Sequence, residues 1–205
     1  MLSAGVFRTV DGGITWTSWA DGIENRTITD LAVDPEDPER LWACSSDGVF
    51  TRSVGDATWQ DVSYGLEEFG CEQVLPEAGG AGVYVATVTG TYRLPSATGT
   101  TWELVAAIDT RLLLQDAGVP IVHLAGSAST LLVTENFVDF FPGDTGMQNR
   151  FAGTIATVGV GPETVLYAGT DFGVEFTSQF FAQPDGTLPW LPGLAFEGAI
   201  FDIAP

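Results

Sequence analysis

Tryptophans at positions 16, 59 and 102 stand 43 residues apart, and Trp190 follows Trp102 by 88, close to two further periods. A repeat of about 40–50 residues in a strand-rich chain constrains the fold tightly, because each repeat is one small sheet that buries its faces only against neighbouring repeats. Other columns keep the same phase. A first strand set, A, comprises Ile28-Thr29-Asp30-Leu31-Ala32-Val33, Cys71-Glu72-Gln73-Val74-Leu75-Pro76, Ile121-Val122-His123-Leu124-Ala125, Ile155-Ala156-Thr157-Val158-Gly159 and Ile200-Phe201-Asp202-Ile203-Ala204. Set B is Leu2-Ser3-Ala4, Leu41-Trp42-Ala43, Val83-Tyr84-Val85-Ala86, Leu131-Leu132-Val133 and Val165-Leu166-Tyr167-Ala168. Set C opens at Gly5-Val6-Phe7, Gly48-Val49-Phe50, Gly90-Thr91-Tyr92, Asn136-Phe137-Val138 and Gly173-Val174-Glu175-Phe176. Set D carries the tryptophans, with Phe151 standing in where the fourth is missing.

Turn formers separate the sets: Asp34-Pro35-Glu36-Asp37-Pro38, Gly79-Gly80 and Gly161-Pro162 each fall between an A and a B strand. No 3.6-residue period is sustained, and the apolar cluster across 106–115 reads as the end of a D strand followed by a long loop. The pattern predicts an all-β chain: a single β-propeller domain over residues 1–205 with about five four-stranded blades. The chain opens on a B strand and ends on an A strand. Pairing of 200–204 beside residues 2–8 is therefore expected to complete the fifth blade and close the ring, which removes exposed strand edges. A piece of a larger propeller is the alternative.

The first repeat carries the sharpest local motif, Thr9-Val10-Asp11-Gly12-Gly13-Ile14-Thr15-Trp16. Gly12 and Gly13 permit the positive φ of a tight turn, and Asp11 is placed to accept hydrogen bonds from the turn's own N–H groups. Trp16 begins the return strand as an apolar anchor. The pattern Ser/Thr-x-Asp-x-Gly-x-Thr-Trp resembles the Asp-box (BNR repeat) of sialidase-like, sortilin-like and photosystem II assembly-factor-like β-propellers. Later copies are eroded: Ser53-Val54-Gly55-Asp56-Ala57-Thr58-Trp59 is one residue short, Gly99-Thr100-Thr101-Trp102 keeps the second half, and Asp144-Thr145-Gly146 lacks the tryptophan. Pro184-Asp185-Gly186 is out of register with Trp190. The resemblance implies a structural role for Thr9, Asp11, Gly13, Thr15 and Trp16, since a hairpin stabilised by its own aspartate needs no substrate.

Charge narrows the function classes. The chain has 27 acidic residues against seven basic ones, all arginine, and a net charge of −20. Such a surface repels phosphate backbones and anionic membranes, so nucleic acid is not an expected partner. No segment reaches the roughly 18 apolar residues of a membrane span. The acidity suits a secreted protein or a high-salt environment, and the resemblance implies an extracellular or periplasmic location. Met1-Leu2-Ser3-Ala4-Gly5 has no charged region followed by an apolar run and does not read as a signal peptide. A mature chain, a cytoplasmic protein and a piece of something longer all fit. Cys44 and Cys71 form no Cys-x-x-Cys pair, and one histidine is too few for a usual zinc site. Two buried free thiols are the favoured expectation, with a disulfide between neighbouring strands as the alternative.

Tyr92-Arg93-Leu94-Pro95 is similar to the Phe/Tyr-Arg-Ile-Pro motif whose arginine grips the substrate carboxylate in sialidases. Its strand C position beside Phe7-Arg8 already explains it, and it follows two Asp-boxes instead of preceding them. A glycosidase needs only two carboxylates at a suitable separation, but no pair stands out. At the third position of set A lie Asp30, Gln73, His123, Thr157 and Asp202, polar residues flanked by mostly apolar ones. With strand A innermost and side chains alternating, these five are expected to ring a central channel. As a cation site its ligands would be Asp30, Asp202 and His123. The favoured expectation is a hydrated polar channel with no metal and no cofactor. The aromatic runs Phe140-Phe141-Pro142, Phe180-Phe181 and Trp190-Leu191-Pro192 are expected to fill core in preference to forming a partner patch. By resemblance the chain is a non-catalytic binding or assembly module for a protein or glycan partner. A glycan-active hydrolase, a sialidase-like glycosidase on the same fold, is the alternative.

Overall fold

The computed structural model describes residues 5–66, 70–116, 122–126, 130–134, 139–143, 147, 151–158, 165–177 and 190–195, and their regular structure is all β. The chain divides into two compact units, Met1–Ile108 and Asp109–Pro205. The first holds a hairpin, β1 (Phe7–Arg8) with β2 (Thr17–Ser18), and two four-stranded antiparallel sheets. One sheet runs β3 (Ile28–Val33), β4 (Arg40–Ser45), β5 (Gly48–Ser53), β6 (Gln60–Asp61), and the other β7 (Cys71–Pro76), β8 (Val83–Thr87), β9 (Thr91–Leu94), β10 (Glu103–Ala106). The second unit holds β11 (Leu112–Asp116), β12 (Val122–Gly126), β13 (Leu131–Thr134), β14 (Phe141–Pro142) and then β15 (Phe151–Val158), β16 (Val165–Thr170), β17 (Gly173–Thr177), β18 (Leu191–Ala195). In every four-stranded sheet the spatial order is the chain order, a meander.

The tryptophan period has a packing cause. The core lies between sheets, one cluster per interface: Val6, Ile23, Phe50 and Trp59 in one; Trp42, Val74, Val85, Leu94 and Trp102 in the next; Leu131, Leu166 and Trp190 in the second unit. Because sheets stack on both sides, the second strands are covered on both faces: all of β8 and the last four residues of β4 are buried. Of the first strands in this unit, β3 alternates half-buried with exposed along its length, whereas β7 has no exposed residue. Each interface thus requires one large apolar group at a fixed point of the repeat.

The second unit changes four expectations. Residues 112–116 are not loop but β11, the first strand of their sheet, packed beside β15. Val122–Gly126, expected as a first strand, is therefore second, and Leu131–Thr134, expected as second, is third. Phe151 is no stand-in for a fourth strand but opens β15, and the fourth strand is Phe141–Pro142. The 43-residue step from Ile28 to Cys71 leads on to position 114, inside β11, so the repeat itself points to this strand, which the apolar cluster after Trp102 conceals. The run at Phe140-Phe141-Pro142 is not simply core either, since Phe141 is exposed; Trp190 is buried and Leu191 exposed. Residues 136–138, 180–181 and 200–204 lie outside the described residues.

The expectation of free thiols is also overturned. Cys44 of β4 and Cys71 of β7 form a disulfide, Cα–Cα 5.2 Å, with both residues buried in the interface between the two sheets of the first unit. The repeat sets the start of one sheet's first strand against the second strand of the sheet before it, a juxtaposition that spacing in sequence does not reveal.

Candidate functional site

The β1–β2 hairpin closes on its own side chains. Asp11 Oδ1 accepts the Thr15 N–H at 2.9 Å and the Thr9 hydroxyl at 2.8 Å, Oδ2 accepts the Thr15 hydroxyl at 2.6 Å, and Thr9 Oγ1 accepts the Gly13 N–H at 2.9 Å. The Thr15 hydroxyl, the Thr15 N–H and the Thr9 hydroxyl together hold the Asp11 pKa down at about 2. Every polar group of the motif serves the turn. Trp16 departs from its expected role as an apolar anchor: it is 60% exposed, and its indole donates to Gly13 O at 3.2 Å. Trp59, Trp102 and Trp190 are buried, and donate to Trp19 O, Val62 O and Gly143 O at 2.8, 2.6 and 2.7 Å. Each of those carbonyls lies just past the last strand of the preceding sheet. Within the described residues of the first unit no sheet precedes the β1–β2 hairpin, so Trp16 has no such acceptor there.

The polar positions of the first strands are shaped by a bulge that the sequence does not announce. Register slips between Ile28 and Asp30 where β3 meets β4, and again between Cys71 and Gln73 and between Phe151 and Thr154. A bulge re-aims side chains. Here the Thr29 hydroxyl donates to Cys71 O at 2.7 Å and Asp30 Oδ2 accepts the Val74 N–H at 3.0 Å, strapping β3 to β7. Burial pushes the Asp30 pKa up, opposed by the Val74 and Leu31 N–H groups. Gln73, half-buried, occupies the equivalent place on β7, but on β15 that place belongs to the buried Thr154; Thr157 stands three residues further along, opposite Leu166, and does not continue the column. His123 stands in the second strand of its sheet, opposite Gln115 and Thr134, and the first strand contributes Leu114 at its third position. Asp202 lies outside the described residues. Among the described residues no three of His, Cys, Asp or Glu are grouped to hold a metal ion.

Arg93, from the Tyr-Arg-Leu-Pro stretch, is already paired. Its Nη2 donates to Glu77 Oε2 at 3.1 Å, and its guanidinium lies 5.5 Å from the Tyr84 ring. Burial opposes the Arg93 charge, but Glu77 outweighs it and the pKa rises. Burial, with Glu77 adding to it, raises the Tyr84 pKa.

Two hollows lie in the first unit. One, about 260 Å³, is lined by Asp34, Glu36, Asp37, Arg40, Ser96 and Thr98 among others. Its groups largely bond one another: Asp34 Oδ1 accepts the Glu36 N–H at 3.0 Å, Glu36 Oε1 accepts the Gly79 N–H at 2.8 Å, and Arg40 lies 3.5 Å from Asp37. The other, about 510 Å³ and open to solvent, is lined by Asp61, Ser63, Tyr64, Gly65 and Leu66. It sits on the turn joining the two sheets, where Gly65 has φ +100° and a Cβ would come within 2.7 Å of Trp102 O. The sequence carries a signal for this turn: Trp16 to Ile23 and Trp59 to Leu66 align position by position, Gly22 upon Gly65.

The meandering four-stranded sheets, stacked face to face within each unit, are those of a β-propeller. No family model and no curated protein sequence matches the chain. Solved structures do. An ancestral GH74 enzyme superposes with a TM-score of 0.66 at 16% identity, over 91% of this chain and 30% of that one. YCF48 bound to D1 peptide gives 0.62 at 16% over 95% of this chain and 64% of its own, and the extracellular domain of the B. thetaiotaomicron one-component-system protein BT4673 gives 0.60 at 16% over 83% and 24%. The likeness shows the propeller fold. The chain spans under a third of the GH74 and BT4673 structures and about two thirds of YCF48.

Proposed function

We propose that this chain is a non-catalytic binding or assembly module of the Asp-box propeller type, engaging a protein or glycan partner in an extracellular or periplasmic setting. The observation that carries the reading is that groups suited to chemistry are taken up by the fold: Asp11 by its turn, Asp30 by the Val74 N–H, and Arg93 by Glu77. The Cys44–Cys71 disulfide favours an oxidising compartment. YCF48, caught with a D1 peptide, offers a fold-level analogy for binding, the BT4673 extracellular domain one for the setting, and the GH74 enzyme one for the enzymatic alternative.

The test is a screen of the purified chain against immobilised glycans, run beside polysaccharide and aryl-glycoside substrates that include sialosides. Binding without turnover is the expected result. Release of reducing sugar above a heat-denatured control would make the chain a glycan hydrolase. The five-bladed ring closed by 200–204 beside residues 2–8 belongs to the same proposal. Deleting the last six residues is expected to remove most of the stability by exposing a strand edge, and a melting point within a degree or two of the full chain's would refute closure.

A further inference from the structure

We propose that the hollow at Asp61, Ser63, Tyr64, Gly65 and Leu66 is a carbohydrate subsite in which a neutral pyranose stacks on Tyr64, an inference that rests on the glycan-binding half of the reading above. Tyr64 is 76% exposed, and the fold does not need its ring. The turn requires only a carbonyl at this position: Tyr64 O accepts the Trp102 N–H at 3.1 Å, and in the preceding repeat Asp21 O accepts the Trp59 N–H at 2.8 Å. Aspartate and tyrosine serve that bond equally, so the aromatic ring is a property of this blade and not of the repeat. A side chain that breaks the repeat without a structural gain is where function is to be sought.

The surroundings define the ligand. Asp61 Oδ1 accepts both the Ser63 N–H at 2.9 Å and the Ser63 hydroxyl at 2.6 Å, which fixes the carboxylate and leaves Oδ2 as an oriented acceptor. The equivalent residue in the preceding repeat is Ser18. Gly65 has no side chain and Leu66 is buried, so the floor is low and partly apolar. A pyranose presents a face of C–H groups, with partial positive charge, and a rim of hydroxyls. The C–H face suits the negative face of an aromatic ring, and a hydroxyl suits a carboxylate. At about 510 Å³ the hollow lies within the roughly 300–1,000 Å³ of small-ligand clefts. The net charge of −20 disfavours sialylated or uronic sugars, which selects neutral ones.

Saturation-transfer NMR and calorimetry with cellotetraose, maltotetraose and chitotetraose, and with sialyllactose as the charged comparison, test this on the full chain. The expected result is transfer to pyranose C–H protons of at least one neutral tetrasaccharide and none to sialyllactose. Affinity should fall at least tenfold in Tyr64→Ala, fall several-fold in Asp61→Asn, and be preserved in Tyr64→Phe. Because both side chains are exposed, all three variants should melt with the wild type, so a loss of binding is not a loss of fold. Binding of a neutral sugar that ignores Tyr64→Ala would overturn the subsite while leaving the glycan reading in place. No binding of any tetrasaccharide would overturn the assignment of the hollow to sugar. A glycan screen that also stays blank would remove the glycan reading itself. A protein ligand weakened by Tyr64→Ala would make the hollow a protein contact instead.

Discussion

Arg52 is the buried cation of the first unit, and replacing it tests how the hairpin is attached to the sheet behind it. The residue is 4% exposed and its guanidinium reaches three backbone carbonyls: Trp19 O at 3.0 Å from Nη1, Asp56 O at 2.9 and 3.2 Å from Nη2 and Nε, and Ala57 O at 3.0 Å from Nη2. The same group lies 4.2 Å from the Trp19 ring, which meets Trp59 edge-on at 5.6 Å. In Arg52→Ala the Trp19 carbonyl still accepts the Trp59 indole, and Asp56 and Ala57 are exposed enough to regain water. The loss is therefore of bonds and not of orphaned groups, about 1 kcal/mol for each of three carbonyls. The cation–π contact adds about 1 kcal/mol, for a total of about 3–4 kcal/mol. At roughly 2–4 °C per kcal/mol for a chain of this size, the melting point should fall by on the order of 10 °C. Arg52→Lys should recover only part, because an ammonium on a flexible stem cannot span the fork of acceptors. Urea denaturation of the three proteins decides the matter. Lysine within about 0.5 kcal/mol of wild type would show that charge alone, and not the fork, is what the site needs.

Asp30→Asn, which keeps an acceptor for the Val74 N–H and removes a partly buried charge, should be neutral or stabilising near neutral pH. Asp30→Ala should cost about 1–3 kcal/mol by leaving that N–H unmet, and equal urea midpoints for the two variants would refute the strap. Asp11 behaves oppositely with pH: its pKa is about 2 in the fold against 3.8 normally, so its contribution is present above the ordinary value and is lost as pH falls through about 2. The gap in urea midpoint between wild type and Asp11→Ala should therefore narrow on acidification, and a pH-independent gap would exclude a charged acceptor in the turn. Tyr92 Oη is buried with no hydrogen-bond partner among the described residues, so Tyr92→Phe should leave stability unchanged or raise it by up to about 1 kcal/mol, whereas a loss of 2 kcal/mol by calorimetry would reveal a partner for the hydroxyl.

What the sequence discloses follows from how far apart the interacting residues lie. The Asp11 hairpin is legible because its bonds join residues two and four apart, so type and spacing nearly determine geometry. The tryptophan period is legible for another reason: it repeats a long-range contact, and repetition exposes what a single pair would hide. β11 is passed over because its leucines join the apolar cluster after Trp102, although the step from Ile28 to Cys71 leads on to position 114; taking residues 121–125 as the first strand in its place shifts every later strand of the sheet, carrying His123 from first strand to second.

The candidate site divides along the same line. Asp30 and Gln73 are recognisable as polar residues in apolar strands, but their task depends on a bulge and on the strand of the next sheet. The sequence predicts a polar column facing a hydrated channel; for Asp30 the structure has a clamp on a backbone N–H. Arg52 has acceptors 33, four and five residues away, and the disulfide joins residues 27 apart, so neither has a local signature. Tyr64 was hidden by the repeat itself. An alignment on Trp16 and Trp59 draws the eye to what the copies share, and Gly22 upon Gly65 shows the turn to be common property. Function in a repeated fold is carried by the residues that differ between equivalent positions, because the shared ones are already required for packing. In the first unit the substitution of Tyr64 for Asp21, at a turn whose backbone bonds are unchanged, meets that criterion.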